Sequence, residues 1–209
     1  MVGTSRRVSS SRFPKTRVEA PLDVLDIALR VTGTLERQGV GYFLGGSLAS
    51  SFQGEPRATN DIDLVVDLEE RQVESLATEL GADFDVDVVA LRRAAREKSS
   101  WNVIYLPSAT KIDLFILRAS PFDRSEFARR QRVEVRAGRF LFVKSPEDSV
   151  LRKLLWYRDG GEVSDRQWRD VVQILRQSRS LLDRGYLDEW ATALGVANLL
   201  ARATGEAGR

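Results

Sequence analysis

The chain has 209 residues, no cysteine, no histidine, 30% charged residues and a formal net charge of +2 at pH 7. This length allows one or two small domains with a proper hydrophobic core. The missing residue types exclude disulfides, thiolate metal sites, thiol nucleophiles and Ser-His-Asp triads, so any catalysis must use carboxylates, Lys, Arg, hydroxyls and hard metal ions. Apolar runs are too short to span a bilayer and no secretory signal is visible, so we expect a cytoplasmic protein without membrane contact.

Residues 1–18 form a basic, serine-rich segment with no acidic residue. This composition is typical of a flexible, solvated tail, and an arm that touches RNA is the alternative.

The next segment, Pro21–Arg37, has apolar residues at helical spacing and is followed by Gly39 and Gly41. This pattern predicts a helix that ends before the two glycines.

A short strand is predicted over Val40–Leu44, and it runs through Gly45, Gly46 and Ser47 into a helix that reaches about Phe52. The glycines let the backbone turn tightly and approach a ligand closely. Ser47 can cap the helix, and free N–H groups at a helix start bind anions. The turn is therefore a candidate phosphate cradle.

A second strand, Asp61–Val66, carries Asp61 and Asp63 at alternate positions. Side chains alternate along a strand, so the two carboxylates point to the same face. Carboxylates bind Mg²⁺, and Mg²⁺ binds phosphate oxygens. A phosphate cradle that faces two carboxylates is what a magnesium–nucleotide complex requires.

A second set of alternating carboxylates follows the predicted helix Leu68–Leu80, at Asp83, Asp85 and Asp87. No Gly-Ser turn precedes this set at a suitable distance. It stands at the start of the predicted helix Val88–Lys98, where Asp is favoured as N-cap or in the first turn. We therefore interpret these residues as capping residues.

The segments Trp101–Leu106 and Lys111–Leu117 predict an antiparallel pair of strands, with Asp113 in the second. Asp113 could be an ordinary surface residue. Its apolar neighbours indicate a largely buried strand, however, where a carboxylate is unusual. We therefore favour Asp113 as a third metal ligand.

The rest of the chain is predicted to be a hairpin followed by helices. Residues 119–131 are an irregular or helical connection. Ser145 and Pro146 form a helix start, with acidic residues in the first turn. The predicted elements are the strands Arg132–Arg136 and Arg139–Val143, a helix from Ser145 to about Tyr157, a helix capped by Ser164 and Asp165 that runs through Gln177, and helical segments over Leu187–Leu194 and Val196–Ala203.

The ordered set of Gly46-Ser47, Asp61, Asp63 and Asp113 resembles the nucleotidyltransferase superfamily, which includes DNA polymerase β, kanamycin nucleotidyltransferase and the AbiEii-type toxins. The family pattern is a Gly-Ser turn, a short helix and loop, Asp-x-Asp, and a later Asp on a neighbouring strand. The resemblance covers roughly residues 40–117. It implies transfer of a nucleoside monophosphate from an NTP to an acceptor hydroxyl, with Mg²⁺ or Mn²⁺ on the three aspartates.

The resemblance also implies further nucleotide-binding residues. Arg57 fits an Arg-x-Thr-x-Asp sequence found in related enzymes and could bind a triphosphate, or it could bridge to a nearby carboxylate. Lys153 and Asp170 match a later Lys and Asp of AbiEii-type enzymes. The alternatives are a solvated helix lysine and an ordinary surface pair between Asp170 and Arg166.

The resulting prediction is an α/β fold: a nucleotidyltransferase-like mixed β-sheet flanked by helices, followed by a C-terminal helical bundle. The expected organisation is a tail over 1–18, a core over 19–144 and a helical domain over 145–209.

RNA, in particular tRNA, is the favoured acceptor because arginines cluster along the chain, while a protein or a small molecule stays possible. The rival hypothesis is a non-catalytic partner in a toxin–antitoxin pair or an RNA-binding module. The clusters are the tail, Arg92, Arg93 and Arg96, and the set Arg129, Arg130, Arg132, Arg136 and Arg139.

Overall fold

A computed structural model describes residues 22–53 and 59–208 of the chain. The helices are α1 (Val24–Arg37), α2 (Gly46–Gln53), α3 (Val73–Leu80), α4 (Val88–Glu97), α5 (Pro121–Ala128), α6 (Pro146–Asp159), α7 (Asp165–Gln177), α8 (Arg184–Ala193) and α9 (Ala197–Ala207). The strands are β1 (Tyr42–Leu44), β2 (Ile62–Val66), β3 (Phe84–Asp85), β4 (Ser100–Tyr105), β5 (Thr110–Ile116), β6 (Gln131–Arg136) and β7 (Arg139–Val143).

The strands form one sheet in the order β3-β4-β5-β2-β1-β7-β6. The pairs β2·β5 and β1·β7 are parallel, and the other pairs are antiparallel. The predicted fold class, a mixed sheet with helices and a C-terminal helical part, is confirmed.

The register of β2 and β5 decides which residues face the core. Ile62 lies beside Ile112, and both are fully buried, while the next pair is Asp63 beside Asp113. Because side chains alternate, the apolar residues point to one face and the aspartates to the other. Helices α1, α3 and α4 pack against the apolar face.

A second hydrophobic cluster is formed by α6 to α9. It also includes Phe122 of α5, which lies within the predicted core range 19–144. The domain boundary at residue 144 stays a prediction, and the predicted tail lies outside the described residues. Within the described part of the chain, no helix is long and apolar enough to cross a membrane.

Several predicted element boundaries need correction. β2 begins at Ile62, so Asp61 lies just before the strand. Helix α2 begins at Gly46, so Ser47 lies in its first turn and is not its cap. The predicted helix Leu68–Leu80 is a 3₁₀ turn followed by α3, and the connection 119–131 contains α5.

The second set of alternating aspartates does cap a helix. The backbone N–H of Ala90 donates to Asp87 Oδ1 at 2.9 Å, which makes Asp87 the N-cap of α4. Asp85 lies in β3 and is exposed. The capping interpretation is therefore confirmed for Asp87.

We expect Asp87→Ala to lower the free energy of unfolding by about 1 kcal/mol, because the cap hydrogen bond is lost. The free energy of unfolding of Asp87→Asn should stay close to that of the parent, since Asn caps a helix as well as Asp does. Urea unfolding gives these values, with Asp85→Asn as the control next to the cap. A loss in Asp85→Asn equal to that in Asp87→Ala would contradict the assignment.

Candidate active site

Asp63 is the centre of the site. It is half-buried on β2 and lies beside Asp113 of β5 on the same sheet face, and the exposed Asp61 precedes the strand. Burial raises the pKa of Asp63, and the nearby carboxylates of Asp113 and Asp61 raise it further, while Lys111 and Lys144 lower it. The three predicted ligands are thus close enough to influence one another.

Lys111 places its charge among these carboxylates. Its Nζ lies 2.8 Å from Asp113 Oδ2. This hydrogen bond is the largest cause of a raised pKa of Lys111, and the charges of Asp113, Asp61 and Asp63 contribute as well. Lys111 was not among the predicted site residues, although its position two residues before Asp113 on one strand puts both side chains on the same face.

The donor set has the chemistry that a divalent cation requires, because hard cations prefer carboxylate oxygens. The Lys111 ammonium already stands among these oxygens as a positive charge. Within the described residues, however, no three Asp or Glu side chains are close enough together to hold one metal ion. Asp61, Asp63 and Asp113 therefore fit a metal in type, and Asp63 and Asp113 also share a sheet face. Ligation by all three would require their side chains to come closer together than they are here.

Gly46 touches Asp63 directly. It has a φ of +59°, and a Cβ at this position would lie 1.8 Å from Asp63 Oδ2. The N–H of Gly45 donates to the carbonyl oxygen of Asp63 at 2.8 Å. The Gly-Gly turn therefore wraps around Asp63, whose carboxylate faces the positive end of the α2 dipole.

The helical part of the chain reaches the same turn. The Arg166 guanidinium on α7 donates to Ser47 Oγ at 2.8 Å. The sequence analysis considered Arg166 only as a possible partner of Asp170. The contact places a cation beside the candidate phosphate cradle.

Lys153 and Asp170 are paired with each other. Lys153 Nζ on α6 lies 2.8 Å from Asp170 Oδ2 on α7, and Lys153 is 5% exposed. Burial argues against the alternative of a solvated lysine. Both helices contact α2, which carries Gly46 and Ser47. Arg57 lies outside the described residues.

A cleft of about 220 Å³ runs from Asp63 along the outer sheet face, under α5 and α6. Its lining is a mixture of apolar, hydroxyl and charged side chains. The lining residues are Gly45, Gly46, Asp63, Val65, Ser99, Ser100, Phe115, Ile116, Leu117, Arg118, Asp123, Glu126, Lys144, Arg152 and Trp156.

A buried network of charges forms part of the cleft wall. Lys144 Nζ lies 3.1 Å from Glu126 Oε1, and Arg152 binds both Glu126 and Asp123, the latter at 2.7 Å. Lys144 and Glu126 are 5% and 3% exposed. The four charges cancel in pairs and join the end of β7 to α5 and α6. None of these four residues was predicted to belong to the site, because no local sequence pattern links them.

Most arginines of the predicted RNA-binding sets already have partners. Their contacts are with acidic residues or with aromatic rings. The pairs are Arg92 with Glu74, Arg96 with Glu70, Arg129 with Glu147, Arg130 with Phe127, Arg132 with Phe140, Arg136 with Asp23 and Asp26, and Arg139 with Asp26. The exposed ion pairs among these are weak, so RNA phosphates can compete for Arg92, Arg96, Arg136 and Arg139, whereas the partner of Arg129, Glu147, is buried.

Comparison with solved structures finds similar folds. The crystal structure of ANT(2'')-Ia in complex with adenylyl-2''-tobramycin matches with a TM-score of 0.52 and 14% identity, over 82% of this chain and 96% of that one. The solution structure of the antibiotic-resistance factor ANT(2'')-Ia matches with a TM-score of 0.49 and 16% identity, over 88% and 96%. An antigenic nucleotidyltransferase-like protein from Paracoccidioides brasiliensis matches with a TM-score of 0.48 and 17% identity, over 88% and 93%.

No protein-family model and no curated protein matches the sequence. At 14% identity, the match to the crystal structure of ANT(2'')-Ia shows a shared fold. The chain therefore has the nucleotidyltransferase fold that the sequence motifs predict.

We expect Gly46→Ala to destabilise the protein more than Gly39→Ala. Both glycines have positive φ, for which an L residue loses about 1–2 kcal/mol, but the Cβ at Gly39 would meet nothing within 4 Å. Urea unfolding of both variants separates backbone strain from the clash with Asp63. Asp63→Ala should recover part of the loss in the Gly46→Ala background, with a coupling of about 0.5–3 kcal/mol. Equal losses in both glycine variants would contradict the close contact.

Proposed function

We propose that the protein transfers a nucleoside monophosphate from an NTP to an acceptor hydroxyl, with Mg²⁺ or Mn²⁺. The observation that carries the proposal is the position of Asp63. Its carboxylate lies against Gly46 at the start of α2 and beside Asp113 on the parallel strand β5. A helix start and acidic side chains thus meet at one point, which suits phosphate and its cation.

Asp61, Asp63 and Asp113 are the residues that would hold the metal. The ion would neutralise the charge of the phosphate oxygens during transfer. Asp113 takes the proton of the acceptor hydroxyl as the new P–O bond forms at the α-phosphorus and the bond to pyrophosphate breaks. The protein mainly positions the two reactants in this scheme.

The turn at the start of α2 is proposed to bind the β- and γ-phosphates. Gly46 and Ser47 lie in the first turn of α2, where the positive end of the helix dipole suits an anion. Gly45 shapes the turn through its hydrogen bond to Asp63. Arg57 and Lys153 add positive charge, since a planar guanidinium and a compact ammonium both suit phosphate.

Asp170 is proposed to orient Lys153. The 2.8 Å ion pair between them supports this assignment, because it fixes the ammonium between α6 and α7 near α2. Lys153 and Asp170 correspond to a later Lys and Asp of AbiEii-type enzymes, and we propose that they have the same nucleotide-binding role here.

The reaction class has indirect support from a protein of the same fold. ANT(2'')-Ia is in complex with adenylyl-2''-tobramycin, an adenylylated compound. For the present chain we propose an RNA acceptor, in particular tRNA, with a protein or small molecule as alternatives. A cytoplasmic location, where NTP and RNA are available, belongs to the same proposal.

The rival function is a non-catalytic partner in a toxin–antitoxin pair or an RNA-binding module. Such a role requires no grouping of carboxylates. Burial and the neighbouring charges of Asp113 and Asp61 raise the pKa of Asp63 more than Lys111 and Lys144 lower it, so a further cation would stabilise the ionised grouping. The retained aspartates therefore favour the catalytic function.

Mg²⁺ or Mn²⁺ with NTP should raise the melting temperature, because the ligands bind the folded state. At about 100 times Kd the gain is ~2.7 kcal/mol, which corresponds to about 5–10 °C for a chain of this size. Asp61→Asn combined with Asp63→Asn should abolish the shift, whereas Asp85→Asn combined with Asp87→Asn should keep it and keep nucleotide transfer. Equal shifts in both double variants would refute the metal site.

Binding to bulk tRNA should weaken steeply with salt, at a log–log slope of about −0.7 per neutralised phosphate. Arg132→Gln combined with Arg139→Gln should flatten that slope by about 1.4, which is 0.7 for each lost contact. Fluorescence anisotropy between low and physiological salt measures the slope. Arg71→Gln is the control, because Arg71 is exposed and lies outside the predicted arginine sets. No binding at low salt would point to a protein or small-molecule acceptor.

A further inference from the structure

Two large aromatic side chains line the cleft and remain accessible. Phe115 on β5 is 39% exposed and Trp156 on α6 is 44% exposed. Large apolar side chains are usually covered, and an exposed aromatic ring in a cleft can stack on a flat ligand. The proposed catalytic roles use neither residue.

Phe115 belongs to the floor of the cleft. It lies beside Val65 in the parallel pairing of β2 and β5, and beside Ser100 in the antiparallel pairing of β4 and β5. The floor thus combines an aromatic ring and an aliphatic side chain with the hydroxyl groups of Ser99 and Ser100. An apolar surface with polar groups at its edge suits a heteroaromatic ring.

Trp156 lines the cleft from α6. It follows Arg152 by one helical turn, so both side chains lie on the same helix face. Arg152 is held by Glu126 and Asp123, and the Lys144 ammonium lies 5.9 Å from the Trp156 ring centre. The buried charges therefore fix the helix face that carries the tryptophan.

The cleft is continuous with the candidate active site. Asp63, Gly45 and Gly46 line the same space as the two aromatic residues. Its volume of about 220 Å³ is below the ~300–1,000 Å³ of pockets that enclose a whole drug-sized ligand. The cleft therefore suits one flat part of a substrate whose remainder extends to Asp63.

We propose that this cleft is a nucleobase site, in which a base stacks on Phe115 and Trp156 while its attached phosphate or hydroxyl reaches Asp63. The proposal rests on the proposed nucleotide transfer and adds its specificity-determining residues. The base belongs either to the NTP or to the terminal nucleotide of an RNA acceptor, and the chemistry of the site is the same for both.

The first experiment compares ATP with ribose 5-triphosphate, which lacks the base, in the presence of Mg²⁺. Isothermal titration calorimetry should show that the parent prefers ATP. Trp156→Ala should weaken ATP binding about 5- to 150-fold, the range for loss of one stacked base, and leave ribose 5-triphosphate unchanged. Trp156→Phe should retain part of the preference for ATP over ribose 5-triphosphate. Phe115→Leu should lose part of this preference.

The second experiment tests the RNA source of the base. A short oligoribonucleotide is compared with the same oligomer that lacks its 3′-terminal base. If Trp156→Ala removes the preference for the intact oligomer and does not affect ATP, the base belongs to the acceptor. Loss of the preference for ATP supports a nucleobase site for the NTP, and loss of the preference for the intact oligomer supports one for the RNA.

Val89→Ala is the matched control, since Val89 is 80% exposed on α4 and does not line the cleft. Unchanged preferences in both Trp156→Ala and Phe115→Leu would overturn the nucleobase site. Metal-dependent binding of ribose 5-triphosphate would still support the proposed function in that case. Failure of every triphosphate and oligomer to bind the parent would overturn both proposals.

Discussion

The parallel pairing of β2 with β5 is the constraint on which the site depends. It places Asp63 beside Asp113 and, two residues later, Val65 beside Phe115. The register is fixed from the opposite face, where Ile62 and its neighbours are buried in the core. A slip by one residue would turn the carboxylates into the core and the apolar side chains outward, so catalytic geometry and core packing specify the same register.

The sequence predicted those parts of the molecule that depend on neighbouring residues. The predicted strand with Asp63 is present as β2, and the Gly-Gly turn leads into a helix as expected, since α2 begins at Gly46. Ser145 and Ser164 cap α6 and α7 as predicted, because a cap needs only its own helix. The mixed sheet was predicted from the family pattern. Local residue patterns do not give the strand order, because the strands pair with segments from across most of the chain.

The missed features are contacts between segments far apart in sequence. Lys144, Arg152 and Trp156 share the cleft with Asp63, although even Lys144 follows Asp63 by 81 positions in the chain. No periodicity relates such positions, and each looks like an ordinary strand-end or helix residue. The predicted cap role of Ser47 was wrong, since α2 already begins at Gly46 and the Ser47 hydroxyl accepts a hydrogen bond from Arg166 of α7.

The buried charge network has a consequence for the order in which the chain folds during synthesis. Asp123 and Glu126 leave the ribosome before Lys144 and Arg152, and the buried Glu126 carboxylate is strongly unfavourable in its position without these cations. Docking of α5 against the sheet is therefore unfavourable until α6 has been synthesised. The packing of Phe122 among the later helices acts in the same direction. We infer that α5 joins α6 to α9 as one unit, so the cleft closes only after these helices have been synthesised.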